Sequence, residues 1–417
     1  MAAKIVVDFD QHSAAYAADP WKAAAKLAKE TPVAWTNAHG GYWIISGSDQ
    51  IREAARNPGI FSVRHDLPNG SSIFQGINIP SVEGRYLPIE IDPPEQLEWR
   101  RALAAPFSQG SAEQLRPIME QLTTWCIDRH IETGEMDFVM DLSSAVPALL
   151  TLHVMGLPMT RWHDYVEMTH KVNYETGEAH QEAHKKFGQA LGELAEVAHR
   201  RRLEPKADLL TILAKMEIGG KLLTDEQIVG ACGTIVAGGI DTTSAVVAGA
   251  LKHLGENQML RQRLIANPNL MPSMVEEFLR YVTPVTGLAR TAAEDVEFHG
   301  QHIKKGDRVF FLWHGANMDE NAYSCPTKVD PDRDASGHVT FGFGSHRCLG
   351  SAIARQDIPC MLGAVLRRMP DYQLVPGKSV RYPSVGTSNN YISIPVTFTT
   401  GPRVGVSEEW REKLADC

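Results

Sequence analysis

The most informative ten residues of this chain are Phe341-Gly342-Phe343-Gly344-Ser345-His346-Arg347-Cys348-Leu349-Gly350. Glycines at these positions permit a tight backbone path and the close approach of main chain to a flat ligand. Cys348 stands just before a helical pattern that begins near Ser351. Peptide N–H groups at a helix start favour a thiolate, and His346 and Arg347 add donor or positive character beside it. Such a sulfur suits a nucleophile or a metal ligand. A nucleophile needs a base folded against it, a zinc site needs further cysteines at short spacing, and a nucleotide loop needs a glycine pattern absent here.

Outward from this stretch, Glu277 and Arg280 lie at i and i+3, on one face of a predicted helix. Further upstream, Thr224 and Gln227 form a capping-box pattern and Gly255 is placed to end the helix they start. That spacing predicts roughly 30 residues and about 45 Å of helix, enough to cross a domain. This helix carries Gly230, Gly233, Gly238, Gly239 and Gly249, an expensive choice in a helix interior. Close helix packing and room for a ligand both explain it. Thr242 follows Gly238 by four residues, so its hydroxyl can bond back to the Gly238 carbonyl and open a local groove.

Taken together, these segments resemble the cytochrome P-450 family. Phe341 to Gly350 resembles its haem-binding signature F-G-x-G-x-H-x-C-x-G, with Phe341, Gly342 and Gly350 at specified positions. Glu277-Phe278-Leu279-Arg280 looks like the family's E-x-x-R helix, and Arg333 in Pro331-Asp332-Arg333 like the arginine completing a Glu–Arg–Arg network. Gly238-Gly239-Ile240-Asp241-Thr242-Thr243 resembles the oxygen-activation motif. The likeness runs from about Trp21 to Phe398.

The resemblance implies a mainly α fold with a minor β portion and a long central helix crossing over the haem, all 417 residues forming one catalytic domain. It implies haem b with Cys348 as the axial thiolate, pushing electron density into the iron. It assigns His346, Arg290 and Arg100 to the haem propionates, where a planar guanidinium fork binds carboxylate well. Gln96 stands where most members have histidine. It can donate to a propionate but cannot become charged, a departure shared with some bacterial terpene hydroxylases. Thr242 is the expected hydrogen-bonding relay, Asp241 the acid connecting it to solvent, and Gly238 and Gly239 the space for dioxygen and water.

By the same likeness, loop 63–90 lies over the substrate, with parts of 161–185, the runs 283–289 and 385–388, and the helix near Val236 and Ala237. Ile73, Phe74, Ile77, Ile79, Val285 and Leu288 make that lining apolar, with Thr387 and Ser388 beside it. Asn78 or Thr286 is expected to orient a polar end. The implied activity is insertion of one oxygen atom from O2 into a C–H bond of a hydrophobic, terpenoid-sized molecule; steroid, aromatic and fatty substrates and a non-catalytic haem or ligand binder are the alternatives. The implied electron source is an iron–sulfur ferredoxin with its reductase, docking on Arg100, Arg101, Arg347 and Arg355.

Composition agrees with a globular enzyme: 43% hydrophobic and 22% charged residues, with a net charge of −9 that argues against nucleic-acid phosphate as partner. Six scattered cysteines without a C-x-x-C pair are expected as free thiols. Met1 to Pro20 lacks the apolar core of a signal peptide, and the segment Thr234 to Leu254 is broken by Asp241, Lys252 and two glycines. The expectation is a cytoplasmic protein without a membrane span.

Overall fold

The computed structural model describes residues 4–66 and 72–417. Positions 67–71 of loop 63–90 therefore lie outside the described residues. Helices dominate, and the capping box is formed: Thr224 N donates to Gln227 Oε1 at 2.9 Å and Gln227 N to Thr224 Oγ1 at 3.3 Å. From it runs the central helix Asp225–Glu256, 32 residues long and closed by Asn257, two residues beyond the expected Gly255.

Around this helix pack Ala145–Met155, Trp162–Tyr174, Gly177–Leu203, Met271–Val282 and Ser351–Arg368. Their apolar faces form the largest core, running from Leu87 to Leu414. Among the described residues the central helix is the one helix long and apolar enough to cross a membrane, and most of its apolar window is buried inside the molecule.

Its glycines divide by what surrounds them. A Cβ on Gly230 would meet the Arg85 carbonyl at 2.6 Å, on Gly239 the Thr151 hydroxyl at 2.7 Å, and on Gly249 the Val282 side chain at 2.8 Å. Those three serve close packing. Gly238 meets nothing within 4 Å. Thus Gly239, expected to leave space for dioxygen, is spent on packing against Thr151.

The β portion is a five-stranded sheet in the order Val33–Thr36, Tyr42–Ile45, Arg308–Phe311, Leu288–Ala292, Phe61–Ser62. Arg308–Phe311 runs parallel to Tyr42–Ile45 and antiparallel to Leu288–Ala292. Of the three inner strands, Tyr42–Ile45 and Arg308–Phe311 are buried at every position, as strands covered on both faces are. On Leu288–Ala292, Leu288 and Arg290 are two residues apart and share one face, with Ala289 on the other.

Candidate active site

The Cys348 loop is bent by Gly342 and Gly344, with φ of 71° and 73°, values that L side chains rarely adopt. Cys348 N donates to the Phe341 carbonyl at 2.7 Å, closing the loop on itself. Arg355 stacks its guanidinium on the Phe341 ring at 4.6 Å. Two side chains of the helix Glu95–Leu103, one turn apart, stitch the loop from outside. Gln96 Nε2 donates to the Ser345 carbonyl and Arg100 Nη1 to the Arg347 carbonyl, both at 2.7 Å.

Cys348 is bare although the loop lies inside the molecule. Burial pushes its thiol up, while the Gly350 N–H and then Arg100, Arg347 and Arg355 pull it back down. On the central helix, Gly238 is also exposed although most of that helix is buried. Thr242 Oγ1 donates to the Gly238 carbonyl at 2.6 Å, the back-bond that the i+4 spacing anticipates.

Three cationic or donor groups converge at one rim. His346 Nε2 is buried without a partner, and the imidazole is held down to about 3 by burial, then by Arg290 and Arg100. Arg290 itself is lowered to about 10 by burial, with Asp92 the carboxylate that opposes this. A buried donor with no acceptor costs stability unless something fills the role. The set suits a dianionic group beside the Cys348 loop.

Asp241 departs from expectation. It is fully buried, and its carboxylate accepts from Tyr382 Oη at 2.7 Å, Asn390 Nδ2 at 2.8 Å and Asn173 Nδ2 at 3.0 Å. His170 Nε2 stands 3.6 Å away and bonds to the Ser144 hydroxyl at 3.1 Å. Asp241 therefore neither touches Thr242 nor reaches solvent directly: burial has tied it to Trp162–Tyr174 and to the C-terminal segment. Asn173, Tyr382, Asn390 and His170 are the polar residues that sequence reasoning missed. Their only signal was polar type in apolar surroundings, which does not name a partner.

Several expected lining residues lie elsewhere. Val236 is fully buried in the main core; two residues from Gly238 is about 200° of helical turn, so it faces away. Thr286 is fully buried and its hydroxyl is engaged with the Val385 and Gly386 carbonyls at 3.0 Å, so it cannot orient a substrate. Ile73 packs beside the Gly306 turn and Phe74 under the Arg64 guanidinium, at the Ala292 end of the sheet. Ala237, Val285 and Leu288 keep partial exposure within the molecule, while Ile77, Asn78, Ile79 and Thr387 line one narrow opening. Ser388 is buried with its hydroxyl unpartnered and pairs with Val285 across a β-bridge. Gln96 gives one of its two Nε2 hydrogens to the Ser345 carbonyl, and its Oε1 is buried without a partner.

The Glu277–Arg280 pair is as the spacing suggests, and Arg333 joins it as the resemblance implied. Arg280 binds both Glu277 oxygens at 2.7 and 2.8 Å, and Arg333 Nε adds a third bond at 3.1 Å, all fully or nearly fully buried.

The family model for Cytochrome P450 matches residues 115–380. The chain belongs to the cytochrome P-450 family. It is 31% identical to a steroid C26-monooxygenase of Mycolicibacterium smegmatis, over 84% of this chain and 86% of that one. With the linalool 8-monooxygenase of Pseudomonas putida it shares 28% identity, over 86% and 91%. The crystal structure of CYP108D1 from Novosphingobium aromaticivorans superposes with a TM-score of 0.80 at 27% identity, covering 94% of this chain and 97% of that one. This cytochrome P-450 is accordingly an oxidoreductase, a monooxygenase of a family that uses a haem-thiolate iron cofactor, O2, hydrophobic substrates and a redox partner. The bare Cys348, the open face at Gly238 and the unpartnered Nε2 of His346 fit that cofactor.

Proposed function

We propose that this single-domain cytochrome P-450 hydroxylates a terpenoid-sized hydrophobic molecule in the cytoplasm with electrons from a ferredoxin. The observation that carries the reading is the bare Cys348, together with the one open glycine of the central helix. Haem b would be held by Cys348 through its sulfur and by His346, Arg290 and the free edge of Arg100 through its propionates. When bound, it supplies an electron-rich iron at which dioxygen is activated for insertion into a C–H bond.

The chain's own residues do the rest. Gly238 keeps the helix face clear, and Thr242 presents its hydroxyl there, giving a proton at Oγ1. Asp241, one residue earlier, is held away from Thr242 by Tyr382, Asn390 and the partly exposed Asn173, so it would feed this relay only through an intervening water. Ala237, Val285 and Leu288 exclude water from the substrate. The Glu277–Arg280–Arg333 cluster secures the Cys348 side for folding and haem retention. Relatives named for steroid C26 and linalool C8 oxidation support a terpenoid or steroid substrate.

Purified protein, reduced and exposed to carbon monoxide, gives a strongly red-shifted thiolate-type absorption band. A histidine-type band, or none, removes Cys348 as ligand. Ferredoxin would dock on Arg100, Arg101 and Arg347. Arg355 leaves the patch expected for it, because its Nε and Nη2 bind the two Glu276 oxygens at 2.7 and 2.8 Å. Reduction by ferredoxin slows as salt screens this face, and a rate unchanged from low to high salt contradicts the docking.

A further inference from the structure

The start of the helix Gly177–Leu203 is weakly held by its own chain. Thr176 precedes it without a side-chain cap bond, and Gly177 takes a φ of 61°. Four imidazoles gather around this end: His12, His39, His180 and His184. Two of them are already spent. His12 bonds through one ring nitrogen to the Ile79 carbonyl and through the other to the Ser384 hydroxyl, both at 2.9 Å, and His39 Nε2 lies 2.9 Å from Asp10 Oδ1. His180 and His184 remain, half-buried, at i and i+4 on one face of the helix.

Their geometry is that of a chelating pair. The ring centres lie 4.4 Å apart with the planes at 68°. Two imidazoles bound side by side to one ion at the usual Zn–N distance of about 2.0–2.1 Å have ring centres roughly 4.5–5 Å apart, so closing on an ion asks for almost no movement. Burial lowers both rings, and His184 is held down to about 4 by burial and then by His180, so each keeps a lone pair at neutral pH. The Val172 carbonyl, on the preceding helix Trp162–Tyr174, favours an N–H on the His184 ring and so leaves the lone pair on its other nitrogen. The Glu175 carboxylate, in the turn between the two helices, is the charge that acts on His180, and it favours a cation there. Lys171 and Lys186, on the same two helices, are paired with Glu167 and Glu182.

We propose that His180 and His184 together bind one first-row transition-metal ion of the zinc or nickel kind, and that this ion staples the first turns of the helix Gly177–Leu203. Imidazole suits these ions, whereas magnesium and calcium take oxygen ligands. Among the described residues no group of three His, Cys, Asp or Glu side chains could hold a metal, so the remaining positions on the ion go to water. With two protein ligands the site binds in the micromolar range, more weakly than a four-ligand structural zinc site. It shares no residue with the haem site.

The test is calorimetric titration of the holoenzyme, freed of stray metal by a chelator that is then removed, with Zn²⁺, Ni²⁺ and Mg²⁺ at a pH of about 7.5, where both imidazoles are neutral. A Cys325→Ser/Cys417→Ser background removes the thiols within reach of solvent outside the haem site. The expected result is one Zn²⁺ or Ni²⁺ per chain with a micromolar Kd, and no binding of Mg²⁺. His180→Ala and His184→Ala each weaken binding by roughly tenfold or more, while His39→Ala leaves it within about twofold. Hydrogen exchange reads the staple: Zn²⁺ slows the amides of residues 177–187 several-fold in the parent protein and not in His184→Ala. The carbon monoxide band of each variant verifies its fold. Binding unchanged in His180→Ala/His184→Ala, binding only at millimolar metal, or Mg²⁺ bound as tightly as Zn²⁺ overturns the site. Exchange unchanged in the parent despite Zn²⁺ binding overturns the staple.

Discussion

Tyr382 Oη donates to Asp241 Oδ1 at 2.7 Å, joining a residue of the C-terminal segment to the middle of the central helix 141 positions earlier. The bond is buried at both ends. Burial pushes the Tyr382 phenol up, and Asp241 beside it pushes further, so Tyr382 stays a donor throughout the working pH range. With Asn390 and Asn173 it satisfies the carboxylate and fixes which way it faces.

Removing that donor leaves a buried charge short of one hydrogen bond. Tyr382→Phe is expected to cost about 1.5–3 kcal/mol of folding stability, the range for bonds to charged groups. Urea denaturation of the holoenzyme measures it, and a change below about 0.5 kcal/mol would show that the bond is not made in solution.

Thr242→Ala removes the hydroxyl bonded to the Gly238 carbonyl without opening a large cavity. Product formed per electron consumed is expected to fall several-fold, with hydrogen peroxide rising to balance it and substrate affinity nearly unchanged. Undiminished coupling would take Thr242 out of the proton relay.

Glu277 holds two arginines in a site buried from solvent. Breaking a buried network by neutralising one member typically costs about 3–5 kcal/mol. Glu277→Gln should therefore yield protein that loses haem on mild heating, followed by absorbance at the haem band. Retention equal to that of the unmodified chain would contradict the structural role.

Glu276 supplies a pH test. Burial raises its carboxyl, but Arg355 and His338 overrule this and hold it down to about 2. His338 is itself lowered, burial outweighing the carboxylate, so Arg355 carries the pairing. A carboxyl depressed in the folded state stabilises above its unfolded value near 4.5 and loses that contribution as pH falls toward 2. The contribution is roughly 3 kcal/mol. Denaturant titrations between pH 6 and 2.5 should show this loss, and Arg355→Met should flatten it.

How much was legible in the sequence varies by residue. The Thr224–Gln227 cap, the Thr242–Gly238 back-bond and the Glu277–Arg280 pair were readable because each is an i, i+3 or i, i+4 relation, fixed by helix geometry alone. Val236 was a miss of the same arithmetic, since 100° per residue already turns it away from Gly238. Ile73, Phe74 and the strand Leu288–Ala292 were harder, because a loop's direction and a short strand's pairing depend on partners distant in sequence.

By itself, then, the sequence determined the family, the mainly helical fold and the order of Asp241, Thr242 and Cys348 along the chain, all carried by local spacing and side-chain type. Only the tertiary structure decided which glycine is open, that Gln96 bonds to the Ser345 carbonyl, and that Asp241 faces Tyr382, Asn390 and Asn173 rather than Thr242. The reason is physical. Hydrogen bonds within a helix turn are set by backbone dihedrals, whereas a buried carboxylate takes whichever donors the packed elements bring within reach, and these come from positions that no local pattern connects.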